Sequence, residues 1–131
     1  MRSVCEILKD SKTIAVVGIS GKPERDSGKI ALFLKQKGYT VYGVHPVLSE
    51  YEGIKIFKSL TDIPDNIDIV DVFINSNLVP QIIPDVLVIN PKVLWLQLDI
   101  HNDEAIKPVQ EKGIQVIQDK CIKIEYWNCG T

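Results

Sequence analysis

The chain has 131 residues, 45% hydrophobic and 24% charged, with a formal net charge of −2. That length suits one domain, 1–131, with a real core, and the balanced charge excludes the basic excess of bulk nucleic-acid binders. No apolar run is long enough to span a bilayer, and MRSVCEILKD at the start lacks a signal peptide's apolar core, so a cytoplasmic protein without membrane contact is expected.

The first ten residues place Val4, Ile7 and Leu8 on one face of a short helix. Thr13–Val17 is an unbroken apolar and β-branched run, the pattern of a strand buried on both faces. Asp26 or Ser27 is placed to cap a helix whose Ile30, Ala31, Phe33 and Leu34 fall at helical spacing, and Gly38 is placed to stop it. Tyr39–Val44 reads as a second strand, closed by His45–Pro46; a polar turn then leads to a short extended piece, Lys55–Phe57. Further strands are expected over Ile67–Ile74, Val93–Leu98 and Ile114–Gln118. Between the first two of these, Pro80 suits a first helical turn and Pro84 must kink or shorten the helix. Asn102 reads as a cap with Asp103 and Glu104 in the first turn, Pro108 predicts a bend, and Gly113 closes that helix.

Strands alternating with helices predict an α/β fold, a Rossmann-like three-layer sandwich with helices on both faces of a five-stranded parallel sheet in the order 3-2-1-4-5. Ligands in such sheets bind beyond the carboxyl ends of the strands, where the strand order reverses. The segment 18-GISGKPERDSG-28 lies at that edge. Gly18 permits a tight turn, Ile19, Ser20, Gly21 and Ser27 form the loop after it, and Lys22 and Arg25 bring full charges before a helix start. Such a loop is suited to a phosphate; a plain solvated connection is the alternative. The dinucleotide fingerprint G-x-G-x-x-G is absent, and no acid ends the second strand to hold free ribose hydroxyls.

Gly18-x-Ser20-x-x-Pro23-x-Arg25-x-Ser27, Tyr39-x-Val41-x-x-Val44-x-Pro46, 59-SLTDIP-64, 68-DIVDVFINS-76, 93-VLWLQL-98 and 119-DKCIKIE-125 resemble the small single-domain CoA-binding proteins. They are similar to the CoA-binding domain of the succinyl-CoA synthetase alpha subunit. The resemblance implies coenzyme A as ligand, with its phosphates along Gly18, Ser20, Gly21, Lys22, Arg25 and Ser27. It implies nucleotide contacts at His45, Pro46, Ile74 and Asn75, and a pantetheine path past Gln97 and Leu98. His45, Leu48 and Asp99 depart from the family's usual residues. The synthetase's phosphohistidine domain has no counterpart here, so ligase chemistry is not implied.

The remaining chemical residues are sparse. Cys5, Cys121 and Cys129 are an odd count without a CxxC pair and read as reduced thiols, Cys129 in an exposed tail. Cys121 falls at the ligand edge, as a thiol facing a ligand or as a small buried hydrophobe. His45 and His101 give no metal-ligand spacing, and Trp95, Asp68 and Asp71 read as structural. No acid, base and nucleophile assemble, so the expectation is a protein that binds CoA or an acyl-CoA. An NAD(P)-dependent or other small nucleotide enzyme, or a ligand-free interaction module, is the alternative.

Overall fold

In the computed structural model the described residues are 2–22 and 24–130; Met1, Pro23 and Thr131, of which Pro23 belongs to the loop motif above, lie outside the described residues. Seven strands form one sheet: β1 (Thr13–Val17), β2 (Thr40–Val44), β3 (Glu50–Tyr51), β4 (Ile54–Phe57), β5 (Ile69–Val72), β6 (Val93–Leu96) and β7 (Gln115–Ile117). Their order is β3-β4-β2-β1-β5-β6-β7, and every neighbouring pair is parallel except β3 with β4. Residues of α1 (Val4–Asp10), α2 (Asp26–Gln36) and α5 (Ile122–Asn128) pack on one face of the sheet, and those of α3 (Ile83–Ile89) and α4 (Lys107–Glu111) on the other.

The layered Rossmann-like architecture is the expected one, but the sheet is mixed and seven-stranded, not five parallel strands in the order 3-2-1-4-5. The extended piece after β2 is a full strand, β4, and it occupies the place beside β2 expected for the strand around residue 70. That strand, β5, lies instead on the far side of β1. The reason is local. Glu52 and Gly53 both have positive φ, +49° and +83°, the signature of a tight two-residue hairpin, and Glu50 accepts the Gly53 N–H at 3.1 Å. The hairpin's own first strand, β3, therefore brings the chain back along the sheet edge without a helix. The strand order reverses between β1 and β5.

Two helices differ from expectation. Pro108 stands in the first turn of α4, where its missing N–H costs nothing, so it starts the helix and does not bend it. Asn102 instead caps the turn before α4, its Oδ1 accepting the Ala105 N–H at 3.1 Å. The segment read as a tail after Glu125 is the end of α5. Its Cys129 is not a free thiol: it forms a disulfide with Cys5 of α1 across 124 residues of sequence. Two of the three cysteines are thus paired, which removes the argument for a reducing compartment drawn from them; Cys121 alone is free. Asp68 is structural as read, accepting the N–H groups of Lys12 (2.7 Å) and Thr13 (3.1 Å) and pairing with Lys92 at 3.6 Å.

Candidate functional site

β1 ends at Gly18, whose φ of +85° suits a residue without a side chain; a Cβ there would lie 2.9 Å from Ile74. Its N–H donates to the Val44 carbonyl at 3.0 Å, so the loop leaves the sheet beside the end of β2. The loop then folds on itself. The Ser20 N–H donates to Ser27 Oγ at 2.9 Å, and the Lys22 N–H to Ser20 Oγ at 3.2 Å. Ser27 is buried, and its hydroxyl proton is left to donate. Arg25 is the N-cap of α2 but makes no side-chain capping bond, which leaves the first-turn N–H groups of α2 as donors for an anion.

Glycine is required at one more point in this cradle. A Cβ on Gly28 would lie 2.3 Å from the Ser20 carbonyl oxygen and 3.0 Å from the Tyr51 ring, which the β3–β4 hairpin places over the loop. Gly28→Ala is therefore expected to push the loop off α2, with a stability loss of about 1–3 kcal/mol and a loss of anion binding. Thermal unfolding and a ligand titration check this. An unchanged melting temperature and affinity would show that the loop is not held against the helix as described.

Loop, helix start and strand ends enclose a cleft of about 760 Å³ between the amino ends of α2 and α5. Of the expected site residues, Gly18, Ile19, Ser20, Lys22, Arg25 and Ser27 line it from the loop. His45 and Pro46 line it from the end of β2, Ile74 from beyond β5, Gln97 and Leu98 from beyond β6, and Cys121 from the N-cap of α5. Gly21 and Asn75 do not line the cleft: Gly21 lies against the Tyr51 ring and Asn75 is exposed at the head of a 3-10 turn.

Several cleft residues carry no sign of that role in the sequence. Glu24 and Asp26 stand beside Lys22 and Arg25, so the cleft is not a basic patch and its anion preference depends on aimed N–H and O–H groups. Ile30 is recognisable in the sequence only as a core residue of α2, while Phe73 and Ile100 lie just past strand ends. Ile124 escapes notice because α5 does. The histidine is more constrained than its position before proline suggests. His45 Nδ1 accepts two backbone N–H groups, from Val47 and Leu48, each at 3.0 Å. The ring proton is thereby assigned to Nε2, which is the donor left for a ligand.

The floor at the α5 end is held from the core. Buried Trp95 donates Nε1–H to the Lys120 carbonyl at 2.9 Å, and buried Gln97 accepts the Ile122 N–H through Oε1 at 3.1 Å. Those two bonds set where Cys121 and α5 begin. Among the described residues, no group of three His, Cys, Asp or Glu side chains is placed to hold a metal ion, and no helix is long and apolar enough to cross a membrane.

The sequence profile described as a CoA binding domain matches residues 12–127. The chain belongs to that family. This CoA-binding domain is 40% identical over 121 residues to the uncharacterized protein YneT of Bacillus subtilis, spanning 92% of the present chain and 90% of YneT. The solved structure of a hypothetical protein from Pyrococcus horikoshii superposes with a TM-score of 0.93 at 36% identity, covering 98% of this chain and 90% of that one. The alpha subunit of an ADP-forming acetate–CoA ligase from Pyrococcus furiosus is 31% identical over 86 residues, 61% of this chain but 19% of the subunit. The CoA-binding domain thus matches one part of a much longer ligase subunit and nearly all of YneT.

Proposed function

We propose that this CoA-binding domain holds CoA or an acyl-CoA along the carboxyl edge of its sheet, as a cytoplasmic binding protein that does not itself transform the ligand. The observation that carries the reading is the convergence of the Gly18–Ser27 cradle with the ends of β2, β5 and β6 in one cleft, in a chain of the CoA binding domain family. The residues fit such a ligand. The open first turn of α2, the Ser27 hydroxyl and the Arg25 guanidinium suit the phosphates, and Gly18 and Gly28 keep the backbone free of side chains. His45 Nε2–H and Pro46 suit the nucleotide end, and Gln97 and Leu98 the pantetheine arm. Matching a ligase named for CoA supports the ligand, not the ligase reaction, because this chain spans only 19% of that subunit.

Calorimetry with CoA, dephospho-CoA and NAD tests the reading. No carboxylate ends β2 to pair with free ribose hydroxyls, while Lys22, Arg25 and His45 supply donors. CoA is expected to bind tighter than dephospho-CoA by about 1.5–3 kcal/mol, roughly ten- to a hundredfold, and NAD weakest of the three. Replacing Lys22 and Arg25 together by Ala should weaken CoA by at least the cost of one charge-assisted hydrogen bond and flatten the salt dependence. NAD binding as tight as CoA would overturn the proposal in favour of a nicotinamide enzyme.

A further inference from the structure

The cleft changes character along its length. At the β1 end it is lined by hydroxyls, cations and helix N–H groups; at the β6 end, two strands or roughly 10 Å away, the lining is Leu98, Ile100, Cys121 and Ile124. Leu98 and Ile124 are 53% and 52% exposed, although they come from different elements that the Gln97–Ile122 hydrogen bond ties together. Large aliphatic side chains left open on either side of a cleft mouth, and continuous with its polar half, are the lining expected for an apolar ligand group. The Gln97 side chain adds a polar atom at the junction. Its Oε1 is taken by the Ile122 N–H, and among the described residues nothing accepts from Nε2, so a donor remains open to the cleft at the point where polar lining gives way to apolar. Asp99 stands between Leu98 and Ile100 with φ of +70°, its N–H donating to Asp119 Oδ1 at 2.6 Å, and it brings a carboxylate to the same lip.

We infer that the β6 end of the cleft receives the uncharged aliphatic acyl group of a CoA thioester, in preference to the free thiol and to acyl groups ending in a carboxylate. The inference rests on the CoA reading above. Leu98, Ile100 and Ile124 withdraw the chain from water, Gln97 Nε2 donates to the thioester carbonyl, and Asp99 repels a second acid. Glu24 and Asp26 stand beside Lys22 and Arg25 at the β1 end, so among the charged side chains of the lining Asp99 is the one at this lip.

Calorimetry of the full chain with CoA, acetyl-CoA, butyryl-CoA and succinyl-CoA separates the possibilities. Each methylene buried on Leu98 and Ile124 should tighten binding about two- to fourfold, so butyryl-CoA is expected to bind roughly tenfold tighter than acetyl-CoA. Succinyl-CoA should bind at least about tenfold more weakly than butyryl-CoA, and Asp99→Asn should narrow that gap. Ile124→Ser, a change at an exposed position with circular dichroism to confirm the fold, should bring the butyryl-to-acetyl ratio close to one. Binding of all four ligands with equal affinity, or an unchanged ratio in Ile124→Ser, would overturn the acyl assignment while leaving the CoA reading intact. Failure of CoA and every thioester to bind would overturn both.

Discussion

Reduction of the Cys5–Cys129 bond is expected to lower the unfolding free energy by about 2–4 kcal/mol, with Cys5→Ser giving the same loss under non-reducing conditions. The bond closes a loop spanning nearly the whole chain, with 124 residues of separation, and it joins α1 to the C-cap of α5. For so long a loop the entropy removed from the unfolded chain alone amounts to about 5 kcal/mol, an upper figure that residual unfolded-state structure reduces. Cys5 is exposed and Cys129 half-buried, so thiols can reach the bond. Urea unfolding with and without reductant measures the effect, and coincident curves would show that the cross-link adds nothing.

The same bond bears on the cleft. α5 is only seven residues long, too short to be helical on its own, and it is kept in place by packing and by its two ends. At the carboxyl end are the disulfide and an aromatic cluster in which Tyr126 meets Phe33 edge-on, with ring centroids 5.4 Å apart. At the amino end, Gln97 and Trp95 hold the Ile122 N–H and the Lys120 carbonyl. A reduced protein is therefore expected to fray α5 from its carboxyl end, while the Gln97 and Trp95 bonds keep Cys121 and Ile122 at the cleft wall.

Legibility in the sequence depends on where the forces act. The β1 run, the glycine that ends it and the helix after it are local features, and backbone geometry at Gly18 and the periodicity of Ile30, Ala31, Phe33 and Leu34 dictate them within about twenty residues. The β3–β4 hairpin escapes because a two-residue strand has no periodicity, and only the pair Glu52-Gly53 carries a turn signal. Without the hairpin, the sheet order comes out wrong beside β2. α5 escapes because Ile122, Ile124 and Tyr126 alternate as they would in a strand, and its helical state is decided by packing on α1 and α2, not by propensity. The disulfide has no local signal at all, since nothing near either cysteine marks a partner so distant in sequence.

Above about pH 5, stability is expected to fall with rising pH on account of Asp71, by up to about 1.4 kcal/mol per unit while the folded-state carboxyl keeps its proton, and Asp71→Asn should abolish that slope. Asp71 lies inside β5, in register with Val16 of β1 and Trp95 of β6, on the face covered by α1, α2 and α5. It is fully buried, and neither carboxyl oxygen has a hydrogen-bond partner among the described residues. Burial pushes this carboxyl well above the usual carboxylate range, so the folded protein keeps the proton. The unfolded chain releases it above about pH 4. In that window the folded state binds one proton more than the unfolded state, so raising the pH favours unfolding until the folded-state carboxyl itself ionises. Asp68 works in the opposite sense and in a different window. Desolvation pushes its carboxyl up, but the N–H groups of Lys12 and Thr13 together with Lys92 outweigh this and hold it below the ordinary range, so its contribution is lost only on acidification. Urea unfolding of the wild type and Asp71→Asn at each pH, both with the disulfide intact, isolates the difference. The variant should be the more stable of the two at pH 8, with the gap closing toward pH 5. Parallel curves across the range would mean that Asp71 is ionised in the folded protein and that a charge is accommodated in the centre of the sheet.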